Sequence, residues 1–281
     1  MSETLNLERW DVLVVGAGAA GIGAAIAAAR NGARVLLVDA GPMVGGELVS
    51  GIPVDGCLSS RGEWVVGGVC RDLFAECERL GGYIGPINDY RSLHVVAVDP
   101  EIMKVAVVNL LSAAGVALRL YSYADGVVMD GDRLRGVIVV TKGRRVLVEA
   151  ATVIDASGDG DVAVAAGVPH EIGDGALGEL QPVTLMFRMG GVDAERLLRF
   201  VRDHPDNAGL GEFEGLGLDR RQCAEALYRQ GLPKVFLVGD GPLMRDAIAR
   251  GLLHRSSMMG ITPTSLARRE VSVNTTRVGH L

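Results

Sequence analysis

Three glycines near the start of the chain have a spacing that suits the binding of a diphosphate group. Gly16, Gly18 and Gly21 form the pattern G-x-G-x-x-G within the stretch VVGAGAAGIG. The first glycine permits a tight turn, the second leaves room for a pyrophosphate, and the third lets a helix pack closely on a strand. The pattern alone is weak support for such a site, because the sequence contains 39 glycines.

The elements expected around these glycines give the pattern the context that phosphate binding requires. A short apolar run at residues 12–15 precedes it and predicts a strand buried on both faces. Residues 19–30 are rich in alanine and predict a helix, whose N-terminal N–H groups and positive dipole end would face the anion. Residues 34–38 predict a second, parallel strand, so that the three elements form a βαβ unit.

An aspartate marks the end of the second predicted strand. Asp39 follows Gly21 by 18 residues, which is the position where a carboxylate accepts hydrogen bonds from ribose hydroxyls. The same carboxylate would repel a 2′-phosphate, so the residues predict a dinucleotide site and disfavour NADP. On this segment alone, FAD and NAD remain open.

The rest of the chain indicates further elements of an α/β fold. Residues 116–120 predict a third parallel strand, and residues 126–150 predict an antiparallel meander of short strands. The stretch TVIDASGDGDVA, at residues 152–163, predicts a buried strand that ends at a turn and starts a helix. After about residue 167, amphipathic helices at 193–202 and 219–229 alternate with strand-like stretches, which indicates a second domain of α+β type. Each of these helices opens on an aspartate, a residue that favours the N-cap position.

The composition excludes several classes of function. A formal net charge of −6 argues against binding to nucleic acid. The four cysteines form no C-x-x-C pair, so no spacing supports a metal site, and we predict none. The sequence contains neither a P-loop nor a nucleophile elbow, so it gives no support for a kinase or a hydrolase. Residues 1–9 are polar and lack the features of a signal peptide, so we expect a soluble, cytoplasmic protein without a membrane partner.

Three further motifs resemble those of the FAD-dependent oxidoreductases whose nucleotide domain is of the glutathione-reductase type. The resemblance is strongest to the branch that carries IDA(T/S)GDGDVA. The motifs are the turn Gly45-Gly46-Glu47-Leu48, the meander at about 124–150, and VIDASGDGD at residues 153–161. In that family the Gly-Gly turn passes beside the flavin end of the cofactor, and the meander is an element that simple NAD dehydrogenases lack. The resemblance therefore implies FAD as the dinucleotide.

The resemblance also implies which residues bind FAD. Ser157 and Gly158 would offer their backbone to the cofactor, and the backbone of Ala124 would face the adenine. The shorter Asp39 stands where many relatives have Glu. The complete predicted FAD site lies at turns and strand ends and comprises Gly16, Ala17, Gly18, Ala19, Ala20, Gly21, Asp39, Ala40, Gly45, Gly46, Glu47, Leu48, Ala124, Ala156, Ser157, Gly158 and Asp161.

The predicted architecture is an α/β fold with two domains. Residues 1–166 form a Rossmann-like FAD-binding domain with a parallel sheet, helices and the antiparallel meander, and residues 167–281 form an α+β substrate domain. The family normally continues beyond the point that corresponds to Leu281, so the second domain is expected to be incomplete at its C-terminus. The implied activity is that of a dehydrogenase or oxidase that transfers a hydride between a small organic substrate and N5 of the flavin.

Two other functions remain open. The chain is alternatively a flavin-binding subunit of a hetero-oligomeric redox complex, in which a second protein completes the flavin site. The second alternative is an NAD-using protein similar to thiazole synthases. His94, His170 and Arg188 are candidates for catalysis by residue type only, and a lone histidine is more often structural, so no catalytic residue is predicted.

Overall fold

The computed structural model describes residues 6–174, 179–255 and 258–275, and the chain divides into two compact units. Unit 1 is formed by the described parts of Met1–Val49, Gly68–Glu76 and Met103–Glu171. Unit 2 is formed by the described parts of Ser50–Gly67, Cys77–Ile102 and Ile172–Leu281. Two stretches that precede residue 166 thus belong with the C-terminal part of the chain. The division into an FAD-binding domain and a substrate domain stays a prediction.

The secondary structure of the described residues is mixed. The strands are β1 (Asn6–Val15), β2 (Val35–Val38), β3 (Tyr83–Asn88), β4 (His94–Val98), β5 (Ala117–Arg119), β6 (Tyr123–Asp130), β7 (Arg133–Thr141), β8 (Arg144–Asp155), β9 (Met186–Met189), β10 (Val235–Val238), β11 (Met258–Ser265) and β12 (Glu270–Asn274). The α-helices are α1 (Ala19–Arg30), α2 (Val69–Arg79), α3 (Pro100–Ala113), α4 (Asp161–Ala165), α5 (Ala194–Asp203), α6 (Arg220–Gln230) and α7 (Pro242–Ala249). Over the described ranges, no helix combines the length and the apolar character that crossing a bilayer would need.

Unit 1 is built on a six-stranded sheet of order β5-β2-β1-β8-β7-β6. The strands β5, β2, β1 and β8 are parallel, and β7 and β6 continue the sheet in antiparallel pairing. The predicted α/β fold, the third parallel strand and the meander are therefore confirmed. Alternate residues of the sheet form one buried cluster that includes Leu13, Leu36, Val137 and Val148. Helix α1 covers the sheet through its buried residues Gly21, Ile22, Ala25 and Ile26.

Two strands of this sheet are longer than the sequence predicts. β8 runs for 12 residues and joins the last strand of the meander to the strand before the Gly/Asp turn. It pairs with β7 over its first part and with β1 along most of its length. β1 begins at Asn6, because residues 6–10 pair with residues 146–150. The polar, partly exposed side chains of this first half conceal the strand in the sequence.

Unit 2 contains a four-stranded antiparallel sheet of order β10-β11-β12-β9. One face of this sheet packs against helices α5 and α6 in a buried cluster. The cluster includes Leu198, Val201, Cys223, Leu227, Val235, Ile261, Val271 and Val273. The alternate residues of the strands point to the opposite face, which we call the polar face. It includes Phe236, Thr262, Ser272 and Asn274.

The predicted aspartate caps of two helices are confirmed. The Asp193 carboxylate accepts a hydrogen bond of 2.9 Å from the Arg196 N–H at the start of α5. At the start of α6, Asp219 accepts a 2.8 Å bond from the Gln222 N–H, and the Gln222 side chain accepts a 2.8 Å bond from the Asp219 N–H. This reciprocal pair is a capping box, which satisfies two backbone donors that the helix itself leaves unpaired.

Because the cap depends on a side-chain oxygen, we expect Asp219→Ala to lower the free energy of unfolding by about 1 kcal/mol. Asp219→Asn keeps an oxygen acceptor at the cap and serves as the matched control, with a much smaller loss. Urea unfolding of the three proteins, followed by circular dichroism, gives the comparison. Equal losses in both variants would contradict a role for the capping hydrogen bond.

Candidate functional site

The turn between β1 and α1 is shaped by glycines that allow backbone segments to meet. Gly16 has φ = +101°, and an ideal Cβ on it would lie 2.0 Å from the carbonyl oxygen of Ala156. A Cβ on Gly21 would lie 1.8 Å from the carbonyl oxygen of Gly16. The Ala156 N–H also donates a 2.8 Å hydrogen bond to the Val15 carbonyl oxygen. The first and third glycines therefore allow the ends of β1 and β8 and the start of α1 to pack together.

The middle glycine of the pattern faces open space. Gly18 is the N-cap residue of α1, with extended backbone (φ = −78°), and a Cβ there would meet nothing within 4 Å. Within the described ranges no side chain caps the helix at this end, and Ala19 and Ala20 are exposed. The first N–H groups of a helix lack intrahelical acceptors and carry the positive end of its dipole. The turn therefore offers donors and free room to an anion such as a pyrophosphate.

The carboxylate of Asp39 joins this turn to the end of β2. Its Oδ2 accepts a 2.6 Å hydrogen bond from the Ala17 N–H, and its Oδ1 accepts a 2.7 Å bond from the Gly41 N–H. A carboxylate has about four acceptor sites, so both oxygens keep capacity for further donors such as hydroxyl groups. The carboxylate thus fixes the shape of the turn and remains available to a ligand.

The Gly45-Gly46 turn lies directly against the first turn. Gly45 has φ = +119°, and its N–H donates a 2.8 Å hydrogen bond to the Ala17 carbonyl oxygen. Gly46 has φ = +50°, and an ideal Cβ on it would lie 3.0 Å from the α-carbon of Gly18. Glu47 and Leu48 follow within a short 3₁₀ helix, Gly46–Val49. The two glycine turns, 29 residues apart at Gly16 and Gly45, are therefore adjacent in space.

The connection before β6 passes beside the end of β2. The Ser122 N–H donates a 2.9 Å hydrogen bond to the Asp39 carbonyl oxygen, and the Tyr121 N–H donates a 3.1 Å bond to the Gly41 carbonyl oxygen. Ala124 follows two residues later, half-buried at the start of β6. Sequence reasoning missed Ser122, since no motif surrounds it, although the residue is 2% exposed and holds this connection in place.

The Gly/Asp turn after β8 is organised by Asp155. Its Oδ1 accepts hydrogen bonds from the N–H (3.0 Å) and hydroxyl (2.7 Å) of Ser157, and its Oδ2 accepts one of 2.8 Å from the Ala163 N–H. Burial alone would raise the pKa of Asp155, but the hydrogen bonds from Ser157, Ala163 and the Val162 N–H outweigh it and lower the pKa. The Ser157 hydroxyl oxygen in turn accepts a 3.0 Å bond from the Asp161 N–H. Gly158 has φ = +94° and open space before it.

Most of the sequence-predicted positions thus gather at one edge of unit 1. The carboxyl ends of β1, β2 and β8 lead into residues 16–21, 39–41 and 156–161. Backbone hydrogen bonds join Gly45 to Ala17 and Ser122 to Asp39 at this edge, and Ala124 lies two residues further along, where β6 starts. In open α/β sheets this edge is where ligands bind. Sequence reasoning did not identify Asp155 as an organiser of the site, although its place at the end of an apolar strand was a usable signal.

The three residues considered for catalysis have other surroundings. In unit 2, Arg188 forms ion pairs with Glu101 at 2.7 Å and with Glu270 at 3.6 Å, which account for its place on β9. The His94 ring, also in unit 2, packs against Gly62. In unit 1, the exposed His170 has its Nδ1 3.1 Å from the carbonyl oxygen of Val168. These contacts assign no catalytic role to any of the three.

Known proteins share parts of this sequence and its fold. Over 166 residues the chain is 27% identical to digeranylgeranylglycerophospholipid reductase of Methanosarcina mazei, a match that covers 54% of this chain and 38% of the relative. Over 46 residues it is 51% identical to one subunit of the opine oxidase of Rhizobium meliloti, or 16% of this chain and 10% of the relative. The chain thus spans well under half of the curated relatives it matches.

A solved structure shows the same fold. A geranylgeranyl bacteriochlorophyll reductase-like protein of Thermoplasma acidophilum superimposes with a TM-score of 0.55 and 18% sequence identity. The alignment covers 98% of this chain and 57% of that protein. The sequence profile of the family described as FAD dependent oxidoreductase matches residues 11–264, which is most of the chain. The protein therefore belongs to the FAD-dependent oxidoreductase family, whose cofactor is FAD.

Proposed function

We propose that the protein binds FAD at the carboxyl edge of the unit 1 sheet and is an enzyme that transfers a hydride between a small organic substrate and the flavin. The observation that supports FAD binding at this edge is the free space in front of Gly18, which lies between the Gly45-Gly46 turn and the carboxylate of Asp39. Family membership favours FAD over the NAD that the first motif alone leaves open.

Each turn of this edge has a part in the proposed binding. The N–H groups at the start of α1 and the backbone of Gly18 hold the pyrophosphate. The space for it exists because Gly18 has no side chain to fill it. Asp39 accepts hydrogen bonds from the ribose hydroxyls with the acceptor capacity that Ala17 and Gly41 leave unused. The backbone of Ala124 faces the adenine. The remaining positions of the proposed site are Gly16, Ala17, Ala19, Ala20, Gly21, Ala40, Gly45, Gly46, Glu47, Leu48, Ala156, Ser157, Gly158 and Asp161.

When bound, the flavin supplies the redox step by accepting or giving a hydride at N5. The residues of this chain bind and orient the cofactor, and we propose no catalytic residue. The names of the relatives, a phospholipid reductase and an opine oxidase, describe different substrates, so they support the reaction class and not one substrate.

A second candidate function is that of one component of a larger redox complex. It is supported by the similarity to the opine oxidase chain, which is named as a subunit. In this arrangement a partner chain would complete the flavin site. Native mass spectrometry of the protein, purified alone and with chains encoded beside it, distinguishes the two candidates. Full activity of the isolated monomer would contradict the need for a partner.

We expect Gly18→Val to weaken FAD binding by at least about tenfold, or about 1.4 kcal/mol. The backbone at Gly18 is extended and an ideal Cβ there meets no described atom within 4 Å, so the fold itself should be retained. Titration of the apoprotein with FAD measures the affinity, and circular dichroism checks the fold. Gly23→Ala is the matched control, because Gly23 also faces open space but lies inside α1. Equal FAD affinity in the Gly18 variant and the control would contradict the proposed pyrophosphate position.

We expect Asp39→Asn to weaken FAD binding by about 1.5–3 kcal/mol, the usual contribution of hydrogen bonds to a charged group. The amide offers one acceptor oxygen where the carboxylate offers two, and its NH₂ group faces the N–H of Ala17 or Gly41. Asp39→Glu keeps the charge and should bind FAD within a few-fold of the wild type. Calorimetric titration with FAD compares the variants. An asparagine variant that binds as tightly as the wild type would exclude the proposed ribose contact.

A further inference from the structure

Unit 2 holds a buried lysine in a chain that has few lysines. The sequence has lysine at positions 104, 142 and 234, whereas lysine and arginine together number 28. Lys234, just before β10, is 2% exposed. Burial lowers its pKa to about 8, although the charges of Asp89 and Asp55 act in the opposite direction and Arg91 adds to the lowering. A buried charge is costly unless other groups pair with it, so its surroundings require explanation.

The protein contacts of Lys234 leave most of its hydrogen-bonding capacity unused. Its Nζ donates one hydrogen bond of 3.1 Å to Oγ1 of Thr262 and lies 4.0 Å from the centroid of the Phe236 ring. The ring face attracts the cation but accepts no conventional hydrogen bond. An ammonium group has three N–H donors, so two of them have no acceptor among the described residues.

Lys234 lines a cavity of about 120 Å³ on the polar face of the unit 2 sheet. The volume is several times the ~30 Å³ that one water molecule occupies in the liquid. Thr262 and Ser272 also line it, and they stand directly opposite each other in the pairing of β11 with β12. Phe236 and Asn274 belong to the same lining, and all these residues lie within unit 2.

Ser272 provides a second, independent sign that the cavity receives a ligand. The residue is 1% exposed, and its Oγ has no hydrogen-bond partner within the ranges that the structure describes. Buried hydroxyls in native proteins nearly always have a partner. The N–H groups of Lys234, just before β10, and the O–H groups of Thr262 on β11 and Ser272 on β12 together form a set of donors around the cavity. Such a set matches the oxygens of a carboxylate.

Asp55 determines which carboxylate-bearing ligand fits. It lines the same cavity at an exposed position, and its pKa is raised, because partial desolvation and the charge of Asp89 outweigh the opposite effect of Lys234. A simple anion would meet both an attractive and a repulsive charge in this small space. Asp89 is not part of the lining. Its Oδ1 accepts hydrogen bonds from the N–H groups of Arg91, Ser92 and Leu93, whereas its buried Oδ2 has no partner among the described residues and acts on Lys234 through its charge. A ligand with both charges satisfies Lys234 and Asp55 together.

We propose that this cavity binds a small zwitterionic amino acid, with its carboxylate on Lys234, Ser272 and Thr262 and its amino group on Asp55. The assignment rests on residues of unit 2 alone, so it is independent of the proposed FAD site in unit 1.

Three probes of equal heavy-atom count separate the two charges of the ligand. Glycine has both charges, propionate has only the carboxylate, and glycinamide has only the amino group. NMR of protein labelled at the lysine Cε positions resolves one signal for each lysine, and Lys234→Met assigns the relevant one. We expect glycine to shift the Lys234 signal and raise its apparent pKa, propionate to act at least severalfold more weakly, and glycinamide to have no effect. The signals of Lys104 and Lys142 should not respond.

Variants test the role of each charge. Lys234→Met should weaken glycine binding at least tenfold, whereas Lys142→Met, at an exposed turn of unit 1, should leave it unchanged. Asp55→Asn should weaken glycine and strengthen propionate, which reverses the order of the two probes. Ser272→Ala removes one donor with little change in volume and should weaken glycine severalfold. It keeps the test decisive if the methionine variant does not fold.

Measurements of the free energy of unfolding check that a variant which loses glycine binding is still folded. The unfolded state binds more protons than the folded state between the pKa of about 8 and the ordinary 10.5, so wild-type stability should rise with pH across that range. Lys234→Met should abolish this rise and raise the unfolding midpoint at pH 7.

The proposal is overturned if no probe moves the Lys234 signal at millimolar concentration, if glycinamide acts like glycine, or if the Lys234 and Ser272 variants that fold bind glycine like the wild type.

Discussion

The close packing of backbone at Gly16 and Gly21 is the constraint on which the rest of unit 1 depends. A Cβ on either residue would fall 2.0 Å or less from a carbonyl oxygen, so neither position tolerates a side chain without movement of the backbone. This packing sets the end of β1 against the end of β8 and places the N-terminus of α1 at the carboxyl edge of the sheet. The other turns of the candidate site are arranged around that fixed point.

Asp39 connects the fixed point to the rest of the edge. Its two oxygens hold the backbone of Ala17 and Gly41, and the carbonyl oxygens of the same residues accept from Gly45 and Tyr121. One side chain and a few backbone hydrogen bonds therefore hold together the turns after β1 and β2, the Gly-Gly turn and the connection to β6. These hydrogen bonds arrange the turns without a ligand, and such preorganisation favours binding because less ordering accompanies it.

The sequence predicted the parts of the fold that have a local signal. The glycine pattern, the apolar strand runs and the aspartates before α5 and α6 depend on neighbours in the chain, and the expected elements are confirmed. The first half of β1 escaped notice because its pairing with residues 146–150 joins distant parts of the chain. The roles of Ser122 and Asp155 depend on hydrogen bonds that no spacing rule describes.

The cavity of unit 2 is also a feature that the sequence does not predict. A lysine before an apolar strand gives no sign in the sequence that it is buried, or that it lines the same cavity as a serine whose Oγ has no partner among the described residues. That arrangement requires the pairing of β11 with β12, which is a property of the folded chain. The cavity on its polar face is lined by a cation, hydroxyl donors and a carboxylate, a set of groups that hydrophobic packing does not explain.

Identification of the nucleotide that the purified protein carries tests the central claim most directly. The protein is purified, saturated with FAD and NAD in separate samples, washed and denatured, and the released nucleotide is identified by mass spectrometry. The account predicts FAD in an amount equal to the protein chain, with flavin absorbance before denaturation. Release of NAD with no retention of FAD, or retention of neither nucleotide, would contradict it.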